Sequence, residues 1–170
     1  MEALVIVDVV YEFITGKYGG QYALDLIPNI NSAIRYFRDE DKTIVFVCDK
    51  HKEWDQEVRL FGEHSMSNDK MSEIHGEISY REDDIIIPKS TFSAFYKTRL
   101  DSFLRSRSIN TVFLAGLTTE TCVRHTAAGA FYRGYDIAIV SNAVDSPNRK
   151  QHRIALEYMS SFYCAEIINL

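Results

Sequence analysis

A chain of 170 residues is long enough to bury a core and reads as one domain, 1–170. With 46% hydrophobic and 25% charged residues it has the make-up of a soluble globular protein, and a net charge of −5 without a basic tract argues against a nucleic-acid partner. Its longest apolar runs, such as 44–48 and 112–115, fall far short of a bilayer span, and Met1 and Glu2 lead straight into a strand pattern, so no membrane partner, no signal peptide and a cytoplasmic location are expected.

Residues 3–7 form a continuous apolar run, as in a strand buried on both faces, and the run ends at Asp8. Residues 9–20 read as a loop carrying Phe13 and three glycines. Leu26, Ile27, Ile30, Ala33, Ile34 and Phe37 recur at helical spacing, which predicts a helix over 24–39 with Pro28 in its first turn. A second strand over 43–48 ends at Asp49. Residues 50–77 are polar and irregular, with His51, Trp54, Phe61, His64 and His75 embedded. A segment of that length without its own secondary structure is usually functional or disordered, and the interleaved aromatics and histidines favour an ordered one. A third strand over 84–88 ends at Lys89, and Leu100, Phe103 and Leu104 mark a helix. A fourth strand over 111–115 runs into Gly116-Leu117-Thr118-Thr119-Glu120-Thr121-Cys122-Val123, followed by a predicted helix over 121–133. A strand over 136–140, a helix over 146–161 and a strand over 165–168 complete the chain. Six apolar strands alternating with helices predict a three-layer α/β/α architecture, a mostly parallel six-stranded sheet with helices on both faces.

Three widely spaced cysteines, Cys48, Cys122 and Cys164, make neither a disulfide framework nor a CxxC zinc site. Cys48 and Cys164 sit in strand-like runs and read as small buried hydrophobes. Cys122 differs by position, because a strand-to-helix junction offers unpaired N–H groups and a helix dipole that favour thiolate. In open parallel sheets ligands bind outside the carboxyl ends of the strands. Those ends carry Asp8, Asp49, Lys89 and the Cys122 turn. Lys89 would favour the thiolate electrostatically, and Asp8 is placed to act as general base and then acid. Backbone N–H groups of Cys122 and of the 117–119 turn, Thr118 in particular, are the candidate oxyanion donors. His125, three residues past Cys122, reads as packed or solvent-facing, and His75 and His152 as surface or packing residues.

Asp8 after the first strand, Lys89 in the run Pro88-Lys89-Ser90-Thr91-Phe92-Ser93-Ala94-Phe95, and the stretch 116–123 resemble the isochorismatase-like cysteine hydrolase superfamily over nearly the whole chain. The resemblance implies Asp8, Lys89 and Cys122 as a catalytic triad and a cis peptide before Thr118. Isochorismatases proper lack the cysteine, so Cys122 points to the amidase branch, with N-carbamoylsarcosine amidases and nicotinamidases as the two relatives to weigh. For the second, Asp49, His51 and His64 match a metal-binding pattern, usually zinc; the other reading of that loop is a hydrogen-bonded scaffold. Phe13, Phe61 and Thr119 are the candidate substrate-binding residues, with Trp54 and Phe95 as further pocket walls. The implied enzyme takes a small-molecule amide or carbamoyl compound, releases ammonia through a thioester, and assembles as a homodimer or homotetramer. Two other classes compete: a silent binding protein, against which the intact triad speaks, and a thiol-redox protein, which lacks a nearby resolving cysteine.

Overall fold

The computed structural model describes all residues, 1–170. The sheet has the order β3-β2-β1-β4-β5-β6, with β1 Glu2–Val7, β2 Thr43–Asp49, β3 Ile85–Lys89, β4 Thr111–Leu117, β5 Asp136–Asp145 and β6 Glu166–Ile168. Every neighbouring pair is parallel. The helices are α1 (Tyr11–Ile14), α2 (Gln21–Leu24), α3 (Ile27–Asp39), α4 (Gln56–Phe61), α5 (Leu100–Ser106), α6 (Arg124–Phe131) and α7 (Arg149–Tyr163).

The central strand shows why both faces are covered. Successive side chains of a strand point to opposite faces, so Ala3, Val5 and Val7 enter one core while Leu4 and Ile6 enter the other. The first core is closed by Leu100 and Leu104 of α5, Ala127 and Ala130 of α6 and Met159 of α7. The second is closed by the apolar face of α3, where Ile27, Ile30, Ile34 and Phe37 are all buried. The predicted three-layer α/β/α architecture is the observed one.

Element boundaries shift for local reasons. Residues 21–24 make their own turn, so α3 starts at Ile27 with Pro28 in the first turn. The predicted 9–20 loop contains α1, and the 50–77 segment contains α4 and a 3₁₀ turn over Lys70–Ser72. That long segment is tied down by backbone bridges from His51 to Met66 and from Val10 to Ile74. The last long helix opens at Arg149 because the Asn148 side chain caps it, accepting from the N–H groups of Lys150 and Gln151. Cys164 is corrected: it is exposed, in the left-handed residue that ends α7, outside any strand.

Two strands overrun their predicted ends, β4 to Leu117 and β5 to Asp145, with a register shift between Leu114 and Gly116. Gly116 makes this possible. Its φ is +111°, and a Cβ there would stand 2.0 Å from the Val7 carbonyl oxygen. Gly116→Ala should therefore cost at least about 2–3 kcal/mol, roughly 4–12 °C in Tm for a chain of this size. A thermal unfolding scan with an unchanged midpoint would remove this reading of the β1–β4 contact.

Candidate active site

The strand order reverses between β1 and β4: the chain moves outward through β2 and β3, then returns to the other side of β1. A crevice opens at such a switch point, beyond the carboxyl ends of the strands. Asp8 follows β1, Asp49 and Lys89 end β2 and β3 as register partners, and the Cys122 turn follows β4. Asp8 itself has a left-handed backbone, with φ of 53°, uncommon outside glycine and asparagine. Its N–H donates to the Val47 carbonyl at 3.0 Å.

The Lys89 ammonium lies 2.7 Å from Asp8 Oδ2, 2.5 Å from Asp49 Oδ1 and 3.7 Å from Cys122 Sγ, and it donates to the Thr91 carbonyl at 3.1 Å. All four side chains are buried. Burial alone would push Lys89 down, but Asp49 and Asp8 hold it protonated, well above its ordinary range. Burial likewise pushes Asp49 up, and Lys89 and His51 override it and keep that carboxylate low. Asp8 is raised to about 6, by burial first and by Asp49 second, against the pull of Lys89. Its Oδ1 accepts from the Asp49 N–H at 2.8 Å. Oδ2 touches the ammonium without an aligned hydrogen bond, so its lone pair is open to another donor.

Cys122 departs from the expected thiolate. Burial pushes the thiol well up and outweighs the opposing Lys89 charge, and Asp8 and Asp49 add to the rise. The resting group is a thiol beside an acceptor carboxylate. Its backbone also differs from the prediction, since residues Thr119–Val123 form one π-helical turn and α6 begins only at Arg124. The Leu117–Thr118 peptide is cis. The Thr118 N–H donates to no group of the chain, and Thr118 and Cys122 border the same cavity. Thr119 sits elsewhere: it is fully buried and shares a 2.8 Å hydrogen bond with His152 Nδ1, outside the cavity wall. His152 is thus a support for the turn as well as a packing residue. His125 Nδ1 donates to the Thr121 carbonyl at 2.8 Å and packs on Phe92, while His75 packs on Tyr11.

Above the sulfur lies a cavity of about 260 Å³. Phe13 and Phe61 wall it, as expected, together with Tyr18, Tyr22 and Phe92. Trp54 is 72% exposed and Phe95 is core, so neither takes the expected place on the wall. Tyr18 and Tyr22 come from the segment around α1 and α2, where aromatic residues in a turn-rich stretch were the available signal. Glu120, Thr121 and Pro147 close the side nearest β4 and β5.

Asp49, His51 and His64 do come together, and Glu57 of α4 joins them; one ligand atom of each lies within 4.8 Å of the others. Glu57 escaped the sequence reading because only the first turn of α4, six residues past His51, carries it inward. The donor set suits a divalent cation: two imidazoles and two carboxylates, all buried. Both His51 ring nitrogens are buried without hydrogen-bond partners. The His64 Nδ1–H is fixed by the Gly62 carbonyl at 2.7 Å, leaving Nε2 as the free donor atom. Burial first and the Asp49 charge second push Glu57 up to about 7, against the pull of Lys89 and His51. Asp49 therefore serves two neighbours, Lys89 through Oδ1 and His51 Nε2, 3.4 Å from Oδ2.

Known proteins share this arrangement of strands. An N-carbamoylsarcosine amidase from Thermoplasma acidophilum superposes with a TM-score of 0.92 at 38% identity, over 99% of this chain and 95% of that one. The nicotinamidase PncA from Bacillus subtilis gives 0.91 at 30% identity, over 99% of both chains. A pyrazinamidase from Pyrococcus horikoshii, solved in complex with zinc, gives 0.91 at 29% identity, again over 99% of both. The family model of the isochorismatase domain matches residues 2–170, and on that extent of agreement the chain belongs to the isochorismatase family.

Proposed function

We propose that this protein is a cysteine-dependent amidohydrolase that cleaves the C–N bond of a small amide or carbamoyl compound. The carrying observation is the buried Asp8–Lys89–Cys122 cluster opening onto an aromatic-walled cavity. Cys122 Sγ attacks the carbonyl carbon as its proton passes to Asp8 Oδ2, the carboxylate oxygen without an aligned donor. Because the thiol is held protonated at rest, this transfer belongs to the attack itself. The Thr118 and Cys122 N–H groups receive the developing oxyanion. Asp8 then returns the proton to the departing nitrogen, which leaves as ammonia, and a thioester remains. Water adds to the thioester, giving one proton to Asp8, which passes it back to sulfur as the acid is released. Lys89 stays charged throughout and keeps Asp8 aligned.

Two substrate branches remain, represented by the N-carbamoylsarcosine amidase and the nicotinamidase among the relatives. A carbamoyl compound is favoured by the higher identity of the first, 38%. The Asp49–His51–Glu57–His64 group favours the second, because a divalent cation held by these residues would supply a Lewis-acid site for a ring nitrogen such as that of nicotinamide.

Ammonia release screened over nicotinamide, N-carbamoylsarcosine and simple amides should identify a substrate; no release from any amide sinks the proposal. Cys122→Ala should fold as the parent and lose at least about 10³-fold in turnover, whereas retained turnover removes the nucleophile. Lys89→Met leaves two buried carboxylates facing each other, and should cost about 3–5 kcal/mol in a denaturant titration besides activity; an unchanged midpoint contradicts the ion-pair argument. Elemental analysis of protein purified without chelator should find a divalent metal that is lost in His51→Ala. Full activity without bound metal would leave those residues as scaffold.

A further inference from the structure

One carboxylate of the cavity wall belongs neither to the triad nor to the metal-binding group. Glu120 Oε1 accepts from the Ser146 hydroxyl at 2.8 Å. Its Oε2 is buried and has no hydrogen-bond partner. The cations on that side are taken: Arg149 lies 2.7 Å from Asp145, and the His152 ring stands between Thr119 and the same carboxylate. A buried carboxylate oxygen left without a donor is costly unless something else supplies one.

The rest of the wall sharpens the point. No lysine or arginine borders the cavity. Lys89 lies beneath it, held by Asp8 and Asp49, and Lys17 near the rim donates to the Phe61 carbonyl at 2.9 Å. The metal-binding group borders the same cavity through Asp49, Glu57 and His64. That group hangs on β2, whereas Glu120 follows β4 and bonds to Ser146, just past β5. Tyr22, on the Glu120 side, registers the same field: burial first, then Glu120 and Asp145, push its hydroxyl to about 12.

We infer that Glu120 is a specificity-determining residue whose charge at the cavity wall rejects amides carrying a carboxylate and favours neutral or cationic ones. The inference rests on the amidohydrolase reading and narrows it, since N-carbamoyl amino acids carry the disfavoured carboxylate. The substrate class is a neutral or positively charged primary amide or urea.

Three chain-matched ureas isolate the charge: N-carbamoylglycine (anionic), propylurea (neutral) and (2-aminoethyl)urea (cationic). Their dissociation constants are measured by calorimetry on the protein as purified, so the series does not depend on turnover. The expected order is cationic tightest and anionic weakest, with the anion at least about tenfold weaker than propylurea. In Glu120→Gln, which keeps an oxygen for Ser146, the anion-to-neutral ratio should fall by about tenfold. The unmutated protein alone decides if that variant fails to fold. Equal binding of anionic and neutral ureas, a preference for the anion, no measurable binding by any of the three, or an unchanged ratio in a folded Glu120→Gln overturns the assignment. Failure of the amidohydrolase reading would show differently, as no ammonia from any amide, whatever the urea order.

Discussion

The ammonium of Lys89, held between the Asp8 and Asp49 carboxylates, is the contact on which the rest of this structure depends. Three charges without solvent are unfavourable unless each is paired at close range, and the distances of 2.7 and 2.5 Å supply that. The partners come from three adjacent parallel strands, so the pairing also fixes how the ends of β1, β2 and β3 align. The sheet positions the charges, and the charges make the carboxyl edge of the sheet a defined surface rather than a fringe of loops.

From that centre the crevice divides. Toward β2 and β3, Asp49 hands its second oxygen to His51, and the acid-histidine group extends outward through Glu57 and His64. Toward β4 and β5, the Cys122 turn leans on Thr119, His152 and the Ser146–Glu120 contact. The two halves share Asp49 and Lys89 and differ in polarity. One gathers ligands suited to a cation; the other holds a single carboxylate with an unused oxygen. A substrate spanning the cavity meets both, which is why charge at its far end should matter as much as the amide being cleaved.

Much of this was legible in the sequence, for a physical reason. Parallel strands buried on both faces are continuous apolar runs, and a charged residue ending such a run marks the carboxyl edge. Asp8, Asp49 and Lys89 could be read that way, and Cys122 by its turn. What escaped depends on side-chain direction in short irregular elements. Glu57 and Tyr22 turn inward from brief helices, and Tyr18 from the turn between α1 and α2, in segments that look like loops. Thr119 lies three residues before Cys122 yet points away from the cavity, because a single π-helical turn is too short to show a period that could be counted. Cys164 has a strand-like neighbourhood, but α7 runs to Tyr163 and leaves it exposed as the terminating residue.

The sulfur itself shows how position and environment can disagree. A strand-to-helix junction beside a lysine argues for a thiolate, but this lysine is already spent on two carboxylates, and those carboxylates face the sulfur too. Burial and negative charge win. A permanent buried thiolate would add a third anion around one cation, whereas a neutral thiol beside Asp8 adds none. On the proposed mechanism reactivity resides in the pair, because transferring the proton to Asp8 as carbon is attacked would keep the charge around Lys89 nearly constant. The raised Asp8 would serve the same end: a carboxyl at about 6 accepts a proton more readily than one at its ordinary value and can still return it to a departing nitrogen.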